Sequence, residues 1–120
     1  MFMDYRIALL AAAVLLLVSG CTEQPPADNS GTVGTQPEMA KAGCVQLCQE
    51  AMESGTDLSD GPCLSDNNEH WNIEDWVCDI AHSPRQAIDN EPANQCRAFR
   101  EGRASHFVEL APDCAFIRSS

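Results

Sequence analysis

Six of the seven cysteines, Cys44, Cys48, Cys63, Cys78, Cys96 and Cys114, lie in the last 78 residues of this 120-residue chain, separated by 3, 14, 14, 17 and 17 residues. Cysteines at this density serve either as disulfides or as thiolate ligands of zinc. Zinc would draw on Cys44-x3-Cys48 and Cys78-x3-His82, each pair one helical turn apart, as a Cys3His set. That choice leaves Cys63, Cys96 and Cys114 as an odd set. An even count behind an export signal reads instead as three disulfides, so no metal and no other cofactor is expected. Six cysteines allow fifteen pairings, and the sequence does not choose among them. If Cys44 and Cys48 sit one turn apart on a helix, they are poorly placed to bond each other and reach other elements.

His70, His82, His106, Glu109 and Ser65 are the available acids, bases and nucleophiles, and none sits at a spacing that a mechanism requires. No catalytic residue is assigned. His82 is expected on a helix surface near its C-terminus, three residues after Asp79. His106 shares a strand face with Val108 and Leu110 and is expected to be buried and hydrogen-bonded. Asp57, Asp60, Asp66, Asn67, Asn68 and Glu69 offer hard oxygens that suit calcium. The D-x-[DN]-x-[DN]-G spacing is absent, so they read as a solvated acidic loop. Arg97, Arg100 and Arg103 form the one basic cluster, with Arg85 a candidate neighbour in the fold. Guanidinium forks suit carboxylate or phosphate, so the three are candidates for binding an anion or a partner. The competing role is to complement a helix C-terminus and the many acids. Trp71 is a candidate stacking surface, whereas Trp76 is expected in the core.

The chain carries 18 acidic and 7 basic residues, a formal net charge of −11. That balance excludes nucleic-acid binding through bulk charge. Arg6 precedes an apolar run at residues 7–18, IALLAAAVLLLV. The run is shorter than the ~20 residues that span a bilayer, so it reads as an export signal rather than a membrane span. It ends Leu17-Val18-Ser19-Gly20-Cys21, which resembles the lipobox of prokaryotic lipoproteins. The resemblance implies a signal peptide over residues 1–20 and lipidation of Cys21 as the first mature residue. Two or three acyl chains then give stable anchoring. The expected location is the cell membrane, lipid-anchored, on its extracytoplasmic face, with the membrane as a partner through the anchor. Residues 21–42 carry Pro, Gly, Ser, Thr and acids with few large apolar groups, and are expected to form a disordered tether. Within them Thr35-x-x-Glu38 offers a capping box that would start the first helix earlier.

Positioning the cysteines and charges falls to residues 43–120. So short a segment is marginal on core burial alone and needs its staples. Cys44, Leu47, Cys48, Ala51 and Met52 recur on one helical face, with Gly55 placed to end the helix. A polar loop follows, turning at Asp60-Gly61-Pro62. Ile73, Trp76, Val77 and Ile80 predict a second helix, capped by Asn72 and stopped at Ser83-Pro84. Asn90-Glu91-Pro92 opens a predicted third helix that runs through Glu101. Residues 104–110 alternate as a strand, and residues 114–117 are expected to return as its partner. The expected fold class is α+β: a small disulfide-rich domain of about three short helices and a C-terminal β-hairpin.

The stretches Gly61-Pro62-Cys63-Leu64-Ser65, Trp76-Val77-Cys78-Asp79-Ile80-Ala81-His82-Ser83-Pro84-Arg85, Asn94-Gln95-Cys96 and His106-Phe107-Val108-Glu109 resemble a family of small, cysteine-rich, exported archaeal proteins. The resemblance covers about residues 43–118. It implies an exported domain and carries no activity with it. The expected function is therefore a non-catalytic binding or surface-structural module. Its partner would be an extracytoplasmic protein or a small ligand. The alternative is a small exported enzyme or metal-binding protein using His82 or His106.

Overall fold

Helix α1 spans Gln36–Glu53. Its start is fixed by the Thr35–Glu38 pair: the Thr35 N–H donates to the Glu38 carboxylate at 2.8 Å and the Thr35 hydroxyl at 3.0 Å. Its end is a Schellman arrangement in which the N–H of Gly55, at φ 77°, donates to the Met52 carbonyl and that of Thr56 to Ala51. The computed structural model describes residues 34–120. The expected signal peptide, Cys21 and most of the expected tether lie outside those residues. Residues 36–42, expected in the tether, are instead the first two turns of α1. Ala40, Cys44, Leu47 and Cys48 form its buried stripe, while Met52 is exposed.

Three strands form one sheet in the order β1 (Trp76–Ile80), β2 (His106–Leu110), β3 (Phe116–Ser119). β1 and β2 are parallel, with Trp76 opposite His106 and Asp79 opposite Glu109. β2 and β3 are antiparallel, with an irregularity between Glu109 and Leu110. The predicted second helix is thus corrected to a strand. Every residue of Trp76–Ile80 is buried, because β1 itself is packed on both faces and along its outer edge. A strand buried on both faces reads as a continuous apolar run and mimics a helix stripe. At the outer edge, the Ile80 N–H donates to the Pro62 carbonyl and the Leu64 N–H to Cys78.

The connection from β1 to β2 holds 3-10 turns at Ala87–Asn90 and Pro92–Asn94 and a short helix α2, Arg97–Arg100. The predicted third helix is therefore broken up. Glu91 is extended, as the residue before a proline prefers. Gln95 and Cys96 are extended too. The expected hairpin partner also shifts, since β3 starts at Phe116.

The disulfides are Cys44–Cys78, Cys48–Cys114 and Cys63–Cys96. Cys44 and Cys48, one turn apart on α1, each reach a different element. The first two staple α1 to the sheet side, and the third ties the loop before β1 to the residue preceding α2. With sequence separations of 34, 66 and 33, each closure removes about 4 kcal/mol of unfolded-chain entropy in the loop model. Such dependence on staples belongs to an oxidising, extracytoplasmic compartment. Among the described residues, no helix is long and apolar enough to cross a membrane.

Strand alternation divides the interior. Trp76, Cys78, Ile80, Val108 and Leu110 pack with Leu58 and the buried stripe of α1. Val77, on the opposite face, packs with Cys96, Ala104 and the partly buried Phe107 and Ala98. The product is a small α+β unit: α1 on one sheet face, the β1–β2 connection on the other.

Candidate functional site

The second face of the sheet is only partly covered. Period-2 alternation points Val77 and Asp79 of β1 and Phe107 and Glu109 of β2 to that side. The parallel register sets the two acids next to each other on neighbouring strands. With Gln95, Cys96, Phe99 and Arg100 from the crossover, Arg85 after β1 and Arg118 of β3, these four residues line a cleft of about 370 Å³. That is within the usual size range of small-molecule sites, about 300–1,000 Å³.

The two acids are treated differently. Glu109 receives Arg85 Nη1 at 3.0 Å and Arg118 Nε at 2.8 Å. Asp79 is 9% exposed, and its Oδ1 has no hydrogen-bond partner among the described residues. Burial, then the charge of Glu109, pushes its carboxyl up to about 8; Arg85 opposes this and Asp89 adds to it. At neutral pH Asp79 is thus a carboxylic acid, with an O–H to donate.

Asp79 also lies against the Cys63–Cys96 bond, with potential ligand atoms of all three residues within 4.8 Å of one another. Both sulfurs are joined in a disulfide, so no thiolate is available there. The same holds for the Cys3His set considered from sequence, since Cys44, Cys48 and Cys78 are all bonded.

The arginine cluster separates. Arg97 Nε and Arg103 Nη2 each lie 2.9 Å from the Glu101 carboxylate at the surface. Arg100 alone of the three lines the cleft; its Nη1 donates to the Pro92 carbonyl at 3.1 Å. Among the described residues it pairs with no carboxylate.

The histidines do not converge. His82 sits in the loop after β1 rather than at a helix C-terminus, with Nδ1 2.8 Å from Asp89 Oδ1. Asp89 is buried, and its Oδ2 accepts the N–H groups of Gln86 and His82. Burial alone would raise the Asp89 carboxyl, but these hydrogen bonds and the one to the His82 ring outweigh it and hold it low. His106 is not buried as expected: its side chain is 45% exposed, stacks on Trp76 at 4.7 Å and lies 3.6 Å from Asp75. His70 is exposed beside Glu50.

Other candidates have structural work. The buried Ser65 hydroxyl accepts the Cys78 N–H at 2.9 Å. In the acidic loop, Asp57 accepts the Ser59 N–H and Asp66 accepts the Arg97 N–H. Trp71 is half-buried on the core and donates to the Trp76 carbonyl at 2.9 Å. Sequence reasoning missed Asp79, Phe99, Phe107 and Arg118 as site residues. The usable signal was the Val77/Asp79 and Phe107/Glu109 alternation in two adjacent strands. No family model matches the chain, and neither a curated protein nor a solved structure does.

Proposed function

We propose that this chain is an exported lipoprotein, anchored through Cys21 at the extracytoplasmic face of the cell membrane, whose stapled domain binds a small ligand without transforming it. The observation that carries the binding role is Asp79 Oδ1, buried in a cleft of about 370 Å³ with no hydrogen-bond partner among the described residues. A buried polar group without a partner costs about 1–3 kcal/mol, and a ligand acceptor would offset that cost. The lipobox at Leu17-Val18-Ser19-Gly20-Cys21 supports the anchor.

The competing reading is a small exported enzyme or a metal-binding protein. It would rest on His82, whose ring is fixed by Asp89. His106 lies apart, beside Asp75 and Trp76, so no second histidine joins it, and binding is preferred.

The full-length protein, isolated from the membranes that produce it, tests both parts. Metabolic lipid label should mark the wild type and not Cys21→Ser; equal labelling would overturn the anchor. A small molecule released on denaturation should accompany the wild type and be depleted from Phe99→Ala/Arg100→Ala. Equal recovery from both, or none from the wild type, would overturn the binding role.

A further inference from the structure

We propose that the cleft takes a small organic acid, its carboxylate held by Arg100 and Asp79 and its apolar body packed against Val77, Phe99 and Phe107. This rests on the binding role just given and names the ligand's chemistry.

Three observations lead there. The first is charge. Arg85, Arg100 and Arg118 share the cleft with Glu109 and Asp79. With Asp79 neutral, three cations face one anion, a local excess of positive charge in a chain of net charge −11. Such a cleft attracts anions and repels amines.

The second is the pattern of unmet bonding. Glu109 already takes both Arg85 and Arg118. Among the described residues, Arg100 has no carboxylate partner and Asp79 Oδ1 has no hydrogen-bond partner. A carboxylate satisfies both, accepting from the guanidinium with one oxygen and from the Asp79 O–H with the other. Both bonds are charge-assisted. The third is the wall: Val77, Phe99 and Phe107 are apolar, and the two phenyl rings meet edge to face at 5.4 Å. A bare inorganic anion leaves that wall unused.

The donor at Asp79 is sensitive to pH. The charged groups around it are Glu109 on β2, Arg85 in the loop after β1, Asp89 in the 3-10 turn, Arg118 on β3 and Arg100 on α2. Once Asp79 ionises, it presents a second negative charge to the ligand, and affinity falls.

The test uses the full chain in lipid nanodiscs, titrated calorimetrically with 3-phenylpropionate, 3-phenylpropionamide, inorganic phosphate and 2-phenylethylamine. The carboxylate should bind saturably, and the other three more weakly by about tenfold or more, the scale of a lost charge-assisted hydrogen bond. Affinity for 3-phenylpropionate should fall about tenfold between about pH 6 and about pH 9.5. Arg100→Gln, at an exposed side chain, should weaken it by a similar factor. Asp79→Asn, which keeps a neutral donor, should bind with no such pH dependence. Equal binding of the amide would overturn the proposal in favour of an apolar pocket, tighter phosphate in favour of a bare anion site, and tighter amine in favour of a cation site. If none of the four binds while a small molecule still co-purifies, the organic-acid assignment fails and the binding role stands.

Discussion

Replacing Asp79 with Asn exchanges a buried acid for a group of the same shape that never ionises, and its effect on stability can be worked through. The ordinary carboxyl value of 3.8 is raised to about 8 in the fold, first by burial and then by Glu109. Below about pH 4 both folded and unfolded chains hold the proton, and the linkage vanishes. Between the two values the unfolded chain gives up a proton that the fold retains, so wild-type stability declines as pH rises. Above about 8 both are ionised, and the loss is complete. At about 1.36 kcal/mol per unit, the displacement sets a ceiling of about 6 kcal/mol. Water in the open cleft raises the effective dielectric toward about 20, which brings the expected loss to about 2–4 kcal/mol. Asp79→Asn should therefore gain on the wild type from about pH 4 to about pH 8, then hold a constant lead of roughly 10 °C or more in Tm. Thermal unfolding of both proteins across that range, with disulfides intact, reads this directly. A difference that does not change with pH, or one that turns against Asn as pH rises, would refute the burial argument.

Three further outcomes are expected. Cys48→Ala with Cys114→Ala, opening the 66-residue closure, should cost about 4 kcal/mol in urea unfolding; under about 1 kcal/mol would show that packing of α1 suffices. Gly61→Ala sets a Cβ at φ 72°, 2.8 Å from both Asp89 Oδ1 and the Ile80 carbonyl, and should cost about 2–3 kcal/mol. An unchanged melt would remove that close approach as a constraint. Arg97→Gln with Arg103→Gln breaks only exposed pairs with Glu101. It should cost under about 1 kcal/mol and leave 3-phenylpropionate binding unaltered, whereas lost binding would move the site to the outer side of α2.

The later turns of helix α1 were readable because two local signals agree, the repeat of Cys44, Leu47 and Cys48 and Gly55 at the stop; its first two turns were assigned to the tether because residues 36–42 carry few large apolar groups, although Thr35–Glu38 offered a cap. β1 was not, because Trp76, Val77 and Ile80 satisfy a helix stripe and a doubly covered strand equally well. Only the tertiary setting, α1 on one side and Cys96 and Ala104 on the other, chooses between them. That one ambiguity carried into the site. With residues 73–82 read as helix, Asp79 fell on a polar surface beside His82; as strand, it faces inward next to Glu109. Glu109 and Arg100 were visible as chemically useful groups. Their convergence depends on a parallel register and on the break before Pro92, neither of which leaves a local mark. The oxidised state of the cysteines followed from their number. Their pairing did not, because it records which segments cross in space.

The position of Cys44 within α1 also has a mechanical consequence. Tension applied at the N-terminal end of the domain, as a tugged surface anchor would apply it, first meets residues 36–43, which precede the Cys44–Cys78 bond. Unwinding those eight residues from a helical rise of about 1.5 Å to an extended one of about 3.4 Å lengthens the chain by roughly 15 Å. There the peeling stops, because further load passes through a covalent bond into β1. None of the yielding residues lines the cleft. The domain thus has a short extensible lead which, under the proposed anchoring, would absorb such pulls while the cleft stays unloaded.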